Sequence, residues 1–372
     1  MVFLYIFAIR KDKNDINSNM RLHVFNPEHD LALAFGGECF TAPRAGREMR
    51  RCLGFLPAFW AGPDDFVMVD DVEMALEVSA SWRRYFPGVR FVPFRAEKSR
   101  VKVKMDTIDS VDVWGWDTAI RRQLLRAGVG EWLLPSSEQL TAVRCLSSRS
   151  ATVGLLADLV REVPGTVGGR MVATTLDEVR AQLCDLQRVV LKAPWSSSGR
   201  GVRYVEGEMT VGLEGFVRNT IALQGCVIVE PFYDKVIDFG VEFVADGKGW
   251  MSDAGLSLFG TVNGAYVGNS LLSEDEKMNA LRPYIKEETL REAICLLQTL
   301  LGVQTTQVYV GPLGVDMMVV RVAGQYLLHP CVEVNLRRTM GHVALDIHRR
   351  THGDFSQMQI VFDGTGYRLR LQ

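Results

Sequence analysis

The chain has 372 residues, 47% of them hydrophobic and 23% charged, which suits two or three ordinary globular domains. Lys plus Arg number 42 against 44 Asp plus Glu, so the net charge is −2 and the bulk electrostatic footprint of a nucleic-acid binder is missing. Seven scattered cysteines without a CxxC pair point to reduced thiols in the cytoplasm. No apolar run nears the roughly 18 residues that cross a bilayer, so no membrane partner is expected.

Residues 2–9, VFLYIFAI, lack the basic flank and small-residue cleavage site of a signal peptide. With the polar stretch KDKNDINSN behind them, residues 1–19 are expected to be an appendage, the fold opening at Met20. From there short apolar runs alternate with helical patterns. Leu22–Phe25, Phe66–Val69, Arg90–Phe94 and Val111–Trp114 predict strands of a mostly parallel sheet covered on both faces. Asn26 and Pro27 predict a cap and first helical residue, placing His29 and Asp30 at the ligand edge of that sheet. Asp117 and Gly128 bracket a second helix. No GxGxxG follows the first strand, which argues against a dinucleotide site. Trp114 and Trp116 are candidates for walling an acceptor site, core packing being the simpler role for one of them.

Residues 136–163 predict a helical connector broken at SSRS, followed by a strand at 172–174, a helix at 176–186 and a strand at 188–192. Cys226–Phe232 and Val236–Val244 are expected to form a strand pair, and 251–269 to add strands with glycine turns. Leu290, Ile294, Leu297 and Leu301 mark a long helix. Strands at 314–321 and 326–335 flank a turn at Ala323-Gly324, and a helix lies near 344–350.

Three segments carry chemistry. Lys192 leaves a buried strand into Ala193-Pro194-Trp195 and the small-residue run Ser196-Ser197-Ser198-Gly199-Arg200-Gly201, where backbone N–H groups could approach phosphate. A plain β-turn is the simpler reading of that loop. Glu230 closes an apolar strand before Pro231-Phe232-Tyr233, with Asp238 beyond it. Glu333 and Asn335, two apart, share a strand face, and a hairpin around Gly324 would bring Asp316 to the same side. Such an oxygen set suits Mg²⁺.

In this order the segments resemble the ATP-grasp superfamily of ATP-dependent carboxylate–amine ligases, over roughly residues 136–350. The segment FNPEHDLALA at 25–34 resembles the opening of a bacterial branch of it. The resemblance implies an α/β protein: a Rossmann-like domain at 20–135, then an α+β ATP-grasp domain at 136–372 with subdomains at about 136–235 and 236–372. It implies that Lys192 binds ATP phosphate, that Ser196, Ser197, Ser198, Gly199 and Gly201 cover it, and that Glu230 through Phe232 form the adenine hinge. Asp238 would meet the ribose, and Asp316, Glu333 and Asn335 would hold Mg²⁺. Arg337, Lys192 and Arg200 would be catalytic. Members carry a further phosphate-binding lysine in the connector; here Arg149 stands in its region and supplies a planar fork instead.

The implied activity is a ligase that activates a carboxylate as an acyl phosphate for attack by an amine or amino acid. An ATP-grasp kinase and a non-catalytic nucleotide-binding regulator are the alternatives. Partners are then small-molecule acids and amines, and self-association stays open. His348 and His352 are four apart, but no third ligand accompanies them, so a solvated helix face is the simpler reading. His342 is a candidate either for the substrate pocket or for a structural role.

Overall fold

The computed structural model describes residues 20–94, 107–196, 199–262 and 265–372. The expected appendage at 1–19 and the loop residues Ser197 and Ser198 lie outside these. The chain begins with β1 (Arg21–Val24), α1 (His29–Phe35), α2 (Arg44–Leu53), β2 (Phe66–Val69), α3 (Val72–Val78), β3 (Arg90–Pro93), β4 (Ser110–Val113) and α4 (Thr118–Arg126). The strands make a parallel sheet in the order β3-β2-β1-β4. Apolar clusters cover both faces, one around Leu22, Val24 and Val113, the other around Phe25, Val67 and Val69. Asp117 caps α4 by accepting the Ile120 N–H at 2.8 Å, as expected.

The first helix corrects the sequence reading. It starts at His29, not Pro27, and Asn26 does not cap it. The Asn26 amide instead donates to the Gly115 carbonyl at 2.9 Å, across the gap to the loop after β4. A buried tertiary bond has taken the side chain that a local cap would have used.

Two helices form the connector, α5 (Ser137–Leu146) and α6 (Val153–Glu162), with a 3-10 turn at Arg149–Thr152. There follow β5 (Met171–Ala173), α7 (Leu176–Leu186), β6 (Arg188–Lys192), β7 (Val202–Glu206), α8 (Val211–Gln224) and β8 (Val227–Pro231). These strands form an antiparallel sheet ordered β5-β8-β6-β7, packed on its own cluster of Leu183, Val189, Leu191, Val217 and Val229.

The remainder is β9 (Asp234–Ala245), β10 (Met251–Val262), β11 (Ala265–Ser270), α9 (Glu274–Leu281), α10 (Glu287–Thr305), β12 (Gly311–Val322), β13 (Gln325–Asn335), α11 (Met340–Arg350), β14 (Gln357–Phe362) and β15 (Tyr367–Leu371). Seven strands join as β13-β12-β9-β10-β11-β14-β15. A second expectation fails here: β8 and β9 do not pair, but belong to different sheets. Phe232 and Tyr233 carry the chain from the smaller sheet to the larger. The α10 stripe is as expected, with Leu290, Leu297 and Leu301 buried against the large sheet. The final hairpin, β14–β15, had no counterpart in the reading of the sequence.

Helix α11 begins at Met340, earlier than expected, because Thr339 and His342 form a reciprocal cap. It is no solvated helix: every residue from Gly341 to Ile347 is buried. Val343, Ala344 and Ile347 share one cluster with Phe25, Phe55, Phe59 and Trp114, so the parallel sheet and the large sheet have a common core. Among the described residues no helix is long and apolar enough to cross a membrane, and all seven cysteines are unpaired.

Candidate active site

The hairpin of β12 and β13 sets the geometry. Side chains alternate along a strand, and an irregularity between Asp316 and Met318 shifts by two residues the register that the turn at Ala323-Gly324 begins, so each side chain keeps its face. Asp316 therefore lies directly opposite Glu333, and Gly314 opposite Asn335. The Asn335 amide donates to Asp316 at 3.2 Å. Burial, and then the negative charges of Glu333 and Glu242, push the Asp316 pKa up to about 7. That crowding of carboxylates is a site short of positive charge. Among the described residues no group of three or more His, Cys, Asp or Glu side chains forms a metal cage.

Glu242 on β9 was not anticipated. It is buried, accepts the Thr339 hydroxyl at 2.7 Å and lies 2.8 Å from His342 Nδ1. His342 Nε2 donates to the Phe243 carbonyl at 3.1 Å, so this histidine is structural and does not line the pocket. A Cβ on Gly341 would fall 1.9 Å from the Glu242 carboxylate, so only glycine admits the close approach. A charged residue between Val241 and Phe243 on an apolar strand was the signal available for it.

Two arginines flank the pair. Arg149 is buried; its Nη1 donates to the Ala193 carbonyl at 2.7 Å and to the Ser196 hydroxyl at 2.8 Å, and its Nη2 lies 2.7 Å from Glu333. Its buried Nε has no partner among the described residues. Arg337 grips Asp30 with two bonds of 2.8 Å, and also donates to Asn335 and to the Arg338 carbonyl. Asp30 is thereby held below the usual carboxylate range: burial would raise it, and Arg337 outweighs that. The expected catalytic arginine thus has one Nη1–H unused. Between these groups opens a narrow cleft, lined by His29, Asp30, Ser196, Glu333, Asn335 and Arg337 among others.

Lys192 and Glu230 meet one another. The ammonium lies 2.6 Å from Glu230 Oε2, and Arg170 Nε donates to Oε1 at 2.6 Å. Burial alone would raise the Glu230 pKa, yet Lys192 and Arg170 bring it down to about 2. Burial lowers the Lys192 pKa despite Glu230. Arg170 also donates to the Thr152 hydroxyl and to the Val332 carbonyl, the latter at 2.7 Å, stitching the small sheet to β13. No spacing in the sequence marked it. The carboxylate of Glu230 is thus fully engaged, and beyond it the Phe232 N–H donates to the Arg188 carbonyl at 3.1 Å. His329 faces this triad, fully buried, with neither ring nitrogen bonded; burial takes its pKa down to about 4.

The other expected residues are not drawn into the cleft. Arg200 is exposed at the tip of the β6–β7 hairpin, which is closed by Gly201 accepting the Ala193 N–H at 2.8 Å and Gly199 accepting the Val202 N–H at 3.1 Å. Phe232 lies under the Arg188 guanidinium at 4.0 Å. Asp238 pairs with Lys235 and accepts the Thr261 hydroxyl at 3.2 Å. Trp114 stacks edge-on against Phe25 at 4.9 Å in the core, and Trp116 packs between two apolar clusters. His348 Nδ1 donates to the Leu271 carbonyl at 3.0 Å, away from His352, which follows the helix end.

No family model and no curated protein matches the sequence. Among solved structures, pyruvate carboxylase from Rhizobium etli, determined with acetyl coenzyme A, matches 89% of this chain with a TM-score of 0.51 at 15% identity. The chain has an ATP-grasp fold. It spans only 27% of that longer carboxylase. N5-carboxyaminoimidazole synthetase from Staphylococcus aureus, complexed with ADP, covers 94% of this chain and is covered to 83%, at 12% identity and a TM-score of 0.49. D-alanyl-alanine synthetase A from Vibrio cholerae covers 91% and is covered to 94%, at 14% and 0.44. In this ATP-grasp chain the cleft lies where the parallel sheet, the β6–β7 hairpin and the β12–β13 hairpin converge.

Proposed function

We propose that the chain is an ATP- and Mg²⁺-dependent ligase that activates a carboxylate as an acyl phosphate for attack by an amine or amino acid. The observation carrying this reading is the in-register facing of Asp316 and Glu333, tied to Asn335 at the rim of the cleft. The donor set fits the metal: Mg²⁺ takes one or two carboxylates and completes its shell with water and phosphate oxygens. The raised Asp316 and the orphaned Arg149 Nε fit a bound cation and a bound anion respectively.

Asp316, Glu333 and Asn335 would hold magnesium, while Lys192 and Arg149 would hold phosphate oxygens. Bound there, ATP–Mg²⁺ supplies the phosphoryl group and neutralises the charge that develops during its transfer. Arg149 links the end of β6 to Glu333, joining the parts that would hold phosphate and metal. Asp30 holds the Arg337 fork in a fixed plane, which orients the remaining N–H without reorganisation.

Calorimetry with ATP–Mg²⁺ tests the reading. Lys192→Ala should weaken binding roughly 10- to 150-fold, the worth of one charge-assisted contact. Glu333→Gln should lower ADP release in the presence of an acid substrate on the order of 100-fold, more than it lowers affinity. Hydroxylamine should trap the activated acid as a hydroxamate. A wild type that binds no nucleotide at millimolar ATP ends the reading. Binding without ADP release from any acid favours the regulator, and a stable phosphate ester favours the kinase.

A further inference from the structure

In the parallel sheet the chain leaves β1 for β2 on one side, while β4 lies on the other. The crevice between the ends of β1 and β4 is therefore the switch point at which open α/β sheets bind ligands. Two loops meet there and are bonded together. Asn26 donates to Gly115 at 2.9 Å and to Asp117 at 3.2 Å, and the Gly115 N–H donates back to Asn26 at 3.3 Å.

Into this frame His29 is set. Its Nδ1 lies 3.0 Å from Asp117 Oδ2, and both residues are buried. The other Asp117 oxygen caps α4, so the carboxylate is held at both ends. A carboxylate oxygen accepts, so Nδ1 carries the hydrogen, and the tautomer this selects has a bare Nε2. A Cβ on Gly115 would stand 2.5 Å from the ring, so glycine is what lets the imidazole lie here.

The other buried histidines differ from one another: among the described residues His329, which is not in the cleft lining, has neither nitrogen bonded, while two more are fully engaged. His23 has both nitrogens bonded, to Asp112 and Asp65, and His342 has both engaged, by Glu242 and the Phe243 carbonyl. Among the described residues His29 has a hydrogen-bond partner on Nδ1 alone, and it lines the cleft with Asp30, Glu333, Asn335 and Arg337.

We propose that His29, oriented by Asp117, accepts the proton of the attacking amine. The inference rests on the ligase reading. The amine lone pair forms the N–C bond to the acyl carbon, the C–O bond to phosphate breaks with its electron pair on the departing phosphate, and the nitrogen's proton passes to His29 Nε2. Asp117 is a positioning residue: it fixes the tautomer and touches no reactant.

Two measurements on the full chain test this. Long-range ¹⁵N–¹H correlation of the histidine rings should show His29 protonated on Nδ1 with Nε2 bare, and Asp117→Asn should mix or invert the tautomers. A neutral His29 ring protonated on Nε2 in the wild type overturns the proposal. The second measurement offers the twenty standard amino acids, each as acid and as amine, with ATP–Mg²⁺, and compares amide product with hydroxamate trapped by hydroxylamine. His29→Gln should lower the ratio of amide to hydroxamate about 100-fold or more, the scale of general base catalysis. An unchanged ratio overturns the proposal alone. A wild type that yields neither product overturns the ligase reading and the proposal together.

Discussion

The parallel sheet and the small antiparallel sheet both abut the seven-stranded sheet, the first through shared apolar surface and the second through buried ions. Val343, Ala344 and Ile347 of α11 belong to the same cluster as Phe25, Phe59 and Trp114. The small sheet instead keeps a cluster of its own, and it meets β13 through Arg170 on the Val332 carbonyl and through the connector's Arg149 on Glu333. Apolar burial is non-directional and tolerates small shifts. Buried ion pairs tolerate none, because a lost partner leaves a charge stranded in low dielectric. The cleft lies where the two kinds of junction meet, with Asp30 on one side and Arg149 on the other.

The comparison can be broken at its ionic side first. Arg170 has a side chain with 0% exposure, and Arg170→Met should cost about 3–5 kcal/mol in urea unfolding. Adding Glu230→Gln should deepen the loss, since the buried Lys192 ammonium then keeps no carboxylate partner. A single variant within about 1 kcal/mol of wild type would mean the junction is not held by ions.

Ile347→Ala attacks the apolar side and should cost about 2–5 kcal/mol. Hydrogen exchange should rise together in β1, β2 and α11. A rise confined to α11 would contradict the shared core. Val229→Ala, in the small sheet's own cluster, should cost roughly 1.5–3 kcal/mol, with faster exchange limited to 171–231.

The smallest effects are those of pH. Burial pulls the His23 pKa down, but hydrogen bonds with Asp112 and Asp65 reverse this and leave it raised above 6.5. Its contribution is complete below pH 6.5 and is lost as pH climbs through the raised value. The Glu230 contribution is complete above pH 4.5 and is lost as pH falls toward about 2. Unfolding midpoints should thus decline at alkaline pH through the parallel sheet, and His23→Gln should flatten that limb while leaving the acid limb in place. An unaltered alkaline slope would remove His23 from the account.

Much of the fold was legible because it is local. The four parallel strands lie within a residue of the apolar runs that predicted them, since period-two alternation and caps such as Asp117 and Thr175 act over a few residues. The shared face of Asp316, Glu333 and Asn335 was legible for the same reason, whereas the exact facing of Asp316 and Glu333 depends on a register shift between Asp316 and Met318 that no local pattern marked. The partner of β8 was not, because the edges of an apolar strand are chemically alike and nothing nearby names the strand that will cover them. Asn26 shows local preference giving way, its capping side chain drawn off to Gly115, 89 residues away.

The sequence by itself determined most strand and helix segments, the common face of the hairpin's oxygens and the placement of Lys192 at a strand end, all set by spacing along a few turns or pleats. Only the tertiary structure decided that Asp30 claims Arg337 from 307 residues away, that Arg170 joins Lys192 on Glu230, and that Asp117 holds Nδ1 of His29 at the cleft. A charged or polar group withdrawn from water must find its partner wherever the packed chain puts one, and that distance is not written in any local pattern.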